Sequence, residues 1–100
     1  MIKHIVLFNV KEGEDKDAVT AIAASVLNPL VGQIPGLLHA EVKRCFGGVD
    51  FALYTELESK VALSVYADHP LHTEAKSHFS IFSAAVLLQI TKYNRKSPNQ

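Results

Sequence analysis

Five histidines carry most of the chemistry this sequence could perform: His4, His39, His69, His72 and His78. An imidazole changes charge near neutrality, so it can take a proton from a bound molecule or ligate a metal. Two placements concentrate that signal. His4 shares one side of an alternating segment with Val6 and Phe8, the more apolar side. The run Tyr66-Ala67-Asp68-His69-Pro70-Leu71-His72 sets a phenol and two imidazoles around a helix break. His72 falls about one helical turn before Lys76, so it can look inward over the His4 strand. Convergence of His4, Tyr66 and His72 would place a polar cluster in an oily cavity, the usual composition of a small-molecule pocket.

Plainer roles compete for each of these residues. His4 alone also reads as a core histidine bonded to backbone or water. His69, just before Pro70, reads as a cap on a helix end. His69 and His72 stand three apart with Asp68 and Glu74 nearby, but Pro70 disrupts a regular ligand face and no cysteine set completes a shell. No metal site is expected, and no cofactor. Gly47-Gly48 lacks the strand–loop–helix context of a phosphate loop, and no Gly-x-Ser-x-Gly elbow occurs. The default for Cys45 is a structural thiol.

The elements that must position these groups follow from hydrophobic spacing. Ile2–Val10 alternates as a strand: Ile2, His4, Val6, Phe8 and Val10 share one face, Lys3, Ile5, Leu7 and Asn9 the other. From Asp15 the period becomes helical through Val19, Ile22, Ala23, Val26, Leu27 and Leu30, with Asp15 as the cap and Pro29 forcing a kink or a short second helix. Ile34-Pro35-Gly36 ends that element. Leu37–Phe46 reads as a second strand, with Leu38, Ala40 and Val42 on one side. Gly47-Gly48 turns it into an antiparallel third strand, Phe51–Leu57. Ser59 caps a short helix, Pro70 opens another, and Val86–Tyr93 closes as a fourth strand.

The order β-α-β-β-α-β predicts an α+β, ferredoxin-like fold: two helical segments over one face of a four-stranded antiparallel sheet. Val6, Phe8, Phe51, Leu53, Leu88 and Ile90 are expected beneath the helices, as the apolar wall around His4, Tyr66 and His72. Ile5, Leu7, Tyr54 and Leu87 fall on the opposite face, too apolar to stand in water, so a second copy of the chain is expected to cover them.

Composition bounds the partners. The chain has 100 residues, 48 % hydrophobic and 20 % charged, with ten Lys+Arg against ten Asp+Glu. A neutral chain lacks the basic surplus that phosphate binding needs, so nucleic acid is not an expected partner. No run approaches the ~20 apolar residues of a membrane span, and the apolar stretch near Met1 is too short for a secretion signal. With Cys45 alone no internal disulfide can form, which suits the cytoplasm. A domain over 1–93 and a polar tail over 94–100 are expected.

Met1–Phe8, Ile34-Pro35-Gly36, Asp50-Phe51-Ala52-Leu53, Glu58-Ser59 and the Tyr66–His72 run together resemble the stress-responsive A/B barrel (Dabb) domain family, across residues 1–93. The resemblance implies a homodimeric α+β barrel, two sheets paired with helices outside, and a stress-type protein, most members having no assigned activity. A plant polyketide cyclase, a more distant likeness, implies roles for three residues: His4 as a hydrogen-bonding group, His72 as general base and Tyr66 as its assistant. A base that takes an acidic C–H proton and a donor that holds the enolate suit an intramolecular aldol cyclisation. The first helix departs from that cyclase, with Ala23, Ala24 and Leu27 in place of bulkier aromatic residues. Three functions stay open: a binder of a small apolar molecule, a cyclase- or lyase-type acid–base catalyst, and a structural dimer without ligand.

Overall fold

A computed structural model describes residues 1–92. Tyr93, expected at the end of the last strand, and the tail 94–100 lie outside the described residues. The elements are β1 (Ile2–Val10), α1 (Lys16–Leu27), a single 3-10 turn (Asn28–Leu30), β2 (Leu37–Arg44), β3 (Phe51–Leu57), α2 (Lys60–Asp68), α3 (Pro70–Ser77) and β4 (Ser83–Lys92). The four strands form one antiparallel sheet in the order β2-β3-β1-β4, the ferredoxin-like arrangement the element order predicts.

Local chemistry explains where the helices begin and end. The Asp15 carboxylate accepts from the Ala18 N–H at 2.9 Å and the Ser59 hydroxyl from the Ala62 N–H at 3.1 Å. Each cap satisfies a donor that the first helical turn leaves free, worth about 1 kcal/mol. Pro29 converts the end of α1 into the 3-10 turn rather than a kink. Pro70 occupies the first turn of α3, where its missing N–H costs nothing, and splits the second helical region in two.

Gly36 is the tightest junction. Its φ of +84° is open to glycine at no steric penalty, and a Cβ built there would lie 2.6 Å from the Ala62 Cβ of α2. Its carbonyl accepts from the Glu58 N–H at 2.9 Å, tying the start of β2 to the end of β3.

The core lies between sheet and helices. β1 and β3 alternate cleanly, burying Ile2, His4, Val6, Phe8 and Val10 from one and Phe51, Leu53, Thr55 and Leu57 from the other. Phe8 stacks on Phe51 at 4.6 Å, and Phe79 meets both rings edge-on at 5.9 and 6.3 Å. This trio fixes the chain just after α3 against the sheet, each ring pair adding about 1 kcal/mol beyond area burial.

Three expectations are corrected. β2 ends at Arg44 and six residues, 45–50, make the hairpin loop, because Asp50 is tied to the end of β1: its carboxylate accepts from the Val10 N–H at 2.7 Å and meets Lys16 at 2.9 Å. Leu38 is not buried with Ala40 and Val42. The β2–β3 register shifts between Leu37 and His39, so Leu37 packs in the core and Leu38 is 47 % exposed. β4 starts at Ser83, and its register against β1 shifts between Leu7 and Phe8. Phe8 therefore faces Ala85, Leu7 faces Leu87, and Val86 is the extra residue that breaks the expected alternation.

The helical layer sits off-centre. α1 packs on β2 and α3, and α2 on β2 and β3. Leu88 and Ile90 pair with Val6 and His4 as expected for the helix side. They are nonetheless 53 % and 48 % exposed, because the helices do not reach across β4. On the opposite face Ile5, Leu7 and Tyr54 are half-buried and Leu87 is exposed. No helix among the described residues is long and apolar enough to cross a membrane.

Candidate functional site

β1 brings His4 to the helix side of the sheet, paired in register with Thr55 of β3. Both are buried. The Thr55 hydroxyl donates to the His4 carbonyl at 3.2 Å, and its oxygen lies 3.4 Å from the His4 Nδ1. With its single proton committed, that oxygen can only accept, which assigns the ring proton of His4 to Nδ1 and the lone pair to Nε2.

His72 arrives from the other side. The break at Pro70 ends α2, and His69 becomes the cap of α3, its Nδ1 accepting from the Leu71 N–H at 3.1 Å. His69 is thus spent on the backbone, the capping role its position before Pro70 suggests. One turn into α3, His72 is buried, with Nδ1 at 3.3 Å from the Ala67 carbonyl. A carbonyl only accepts, so the proton sits on Nδ1 and Nε2 keeps its lone pair.

The two imidazoles line one cavity of about 270 Å³. Val6, Phe8, Leu53 and Leu88 supply its sheet wall. Leu27, Ala67, Phe79 and Ala85 complete the apolar surface, and Lys76 stands at the edge. Phe51 and Ile90, also expected in the wall, do not line it: Phe51 is wholly buried in the aromatic trio, and Ile90 lies farther along the exposed strand. Tyr66 does not line it either. Its ring packs on that of His72, and its hydroxyl, fully buried, finds no hydrogen-bond partner among the described residues.

Electrostatics keep the site neutral. Burial lowers the pKa of His4. Burial also lowers that of His72; the Ala67 hydrogen bond pulls it back up, and the charges of Lys76, His4 and His69 push it down again. Burial raises the Tyr66 hydroxyl, which stays protonated. At neutral pH the cavity therefore presents two uncharged rings, each with an unprotonated Nε2 able to accept a hydrogen bond or a proton. Among the described residues no group of three His, Cys, Asp or Glu could hold a metal ion.

Thr55 and Lys76 were not singled out by sequence reasoning. Thr55 had a readable signal, a lone hydroxyl on an apolar strand face. Lys76 had none beyond lying one turn from His72.

A shallower groove of about 210 Å³ between α1, the 3-10 turn and α3 carries Ser25, Gln33, Glu74 and His78. It lies open to solvent and holds no buried titratable group.

Solved structures share this frame. A dimeric protein of unknown function and ferredoxin-like fold from Bacteroides fragilis superposes with a TM-score of 0.82 at 23 % identity, covering 92 % of this chain and 95 % of that one. A dimeric ferredoxin-like protein of unknown function from Thermobifida fusca gives 0.76 at 25 % identity, over 92 % and 90 %. HapK from Hahella chejuensis gives 0.82 at 12 % identity, over 95 % and 94 %. No curated protein matches the chain in sequence. The sequence profile of the stress responsive A/B barrel domain matches residues 2–88, and the chain accordingly belongs to that family.

Proposed function

We propose that this A/B barrel protein is a homodimer that binds a small, largely apolar molecule between sheet and helices, with His4 and His72 accepting hydrogen bonds from it. The carrying observation is the cavity of about 270 Å³ in which two neutral imidazoles interrupt an apolar wall, with Lys76 at its edge. A cavity of about 150 Å³ holds a benzene ring, so this one suits a ring with a short substituent rather than a drug-sized ligand. Homodimerisation is supported by the helix-free face bearing Ile5, Leu7, Tyr54 and Leu87, and by family-like folds described as dimeric in other organisms. Residence in the cytoplasm fits a lone free Cys45.

Methyl NMR with phenol as the probe tests the binding role. Phenol offers one apolar ring and one O–H donor for an imidazole Nε2. Shifts centred on the methyls of Val6, Leu53 and Leu88 are expected, with weaker binding in His72→Gln. Shifts absent from those methyls at saturating phenol would refute the cavity as a ligand site.

A second reading, an acid–base catalyst of the cyclase or lyase type, is favoured by one feature: His72 is buried, neutral and free at Nε2, the state a general base requires. Deuterium uptake at the central carbon of a 1,3-diketone, faster with protein than in buffer and lost in His72→Gln, would support it. Equal uptake with and without protein would reject it.

A further inference from the structure

Lys76 gives the cavity a polarity that the imidazoles do not. It lies in the last turn of α3, is exposed, and contributes to the lining beside His72 and Phe79. Its charge is near enough to hold the His72 pKa down. No carboxylate lines the cavity, and Lys76 forms no ion pair among the described residues. The closest acidic residue on its helix, Glu74, belongs to the lining of the separate outer groove. The ammonium thus stands at the rim of an apolar cavity with no counter-ion among the described residues.

We propose that Lys76 determines specificity by pairing with an anionic oxygen, so that the preferred ligand is an amphipathic organic acid: a small apolar body with one carboxylate at the rim. This rests on the cavity being a binding site, as proposed above, and adds the charge of what it takes. The apolar body lies against Phe8, Leu53 and Leu88, while the carboxylate stays at the Lys76 end, partly hydrated. An anion placed deep in the site would instead meet the lone pairs of two neutral imidazoles, which repel it. The geometry therefore orients the ligand, acid outward. Lys76 acts on binding, and no covalent step is involved.

The test compares 3-phenylpropanoate with 3-phenylpropan-1-ol, which differ chiefly in charge, by calorimetry and methyl NMR on the intact protein. The acid is expected to bind roughly fivefold more tightly at low salt, the range of a rim ion pair reinforced by a charged hydrogen bond. Lys76→Met should erase that preference, weakening the acid more than the alcohol, and about 300 mM salt should shrink it in the wild type. Equal affinities for the two probes, or a preference that survives in Lys76→Met, would overturn the role of Lys76 while the binding site stands. If neither probe moves the methyls of Val6, Leu53 and Leu88, the cavity itself is not a binding site and both proposals fall. A Lys76→Arg variant, retaining the preference, separates charge from loss of the lysine stem.

Discussion

The rings of Tyr66 and His72 lie 4.2 Å apart, centroid to centroid, with their planes inclined by 33°. The phenol thus supports the imidazole through its face, while its hydroxyl has no partner among the described residues. A buried hydroxyl with no acceptor costs about 1–3 kcal/mol, whereas the ring contact needs no hydroxyl. Tyr66→Phe should therefore raise stability by about 1 kcal/mol in urea unfolding. A lower midpoint at unchanged m-value would show that the hydroxyl gains something in the folded protein.

Acid should destabilise the fold through His4 and His72. Burial holds both below the ordinary histidine pKa, while in the unfolded chain both return to about 6.5. Between the folded values and 6.5 the unfolded chain binds more protons, so stability is complete above about pH 6.5 and falls as pH drops toward the folded values. Urea midpoints at about pH 7.5 and about pH 5.5 should differ in that direction, with the two imidazole C–H resonances titrating below 6.5. A midpoint that rises on acidification would contradict the neutral assignment.

Gly36→Ala should be among the costliest single-methyl additions in the chain. It forces a side chain into a positive φ and drives a Cβ to 2.6 Å from that of Ala62, a clash that relaxes only if α2 moves from the sheet. A loss of at least about 2 kcal/mol is expected from strain and overpacking together. Thermal unfolding measures it, with Gly13→Ala as a comparison: Gly13 shares the positive φ but has nothing within 4 Å of its Cβ, so it should lose less.

The proposed homodimer would pair through the open sheet face. Leu7 is half-buried there already, between Ala52 of β3 and Leu87 of β4 in register. Leu7→Asp would strand a carboxylate in the proposed interface at a cost of several kcal/mol, so light scattering should report a dimer for the wild type and a folded monomer for the variant. A wild type that scatters as a monomer at micromolar concentration would remove the second copy from the picture.

Much of this frame could be read from side-chain order. In β1 and β3 alternation is unbroken, so the inward placement of His4 and the outward placement of Leu7 follow from period alone. Caps at Asp15 and Ser59 and the restart at Pro70 are local events, each decided within four residues. The misses share a cause. Leu38 and Val86 sit at register shifts, which depend on the partner strand and leave no trace in the bulged strand itself. Tyr66 and His72 are brought together by a helix break whose presence is legible but whose angle is not. Lys76 reaches the cavity edge because the helices stop short of β4, a matter of layer packing that no local pattern encodes.

That off-centre layer has a kinetic consequence. Of the exposed members of the cavity lining, Ala85 and Leu88 lie on β4 and Lys76 on α3, with Ala67 at the end of α2. A guest molecule entering there passes a doorway that is already ajar in the resting fold, without any helix lifting from the sheet. Its arrival rate would then track diffusion and ionic strength rather than a slow opening of the protein, and its dwell time would be set by how well it fills the hollow.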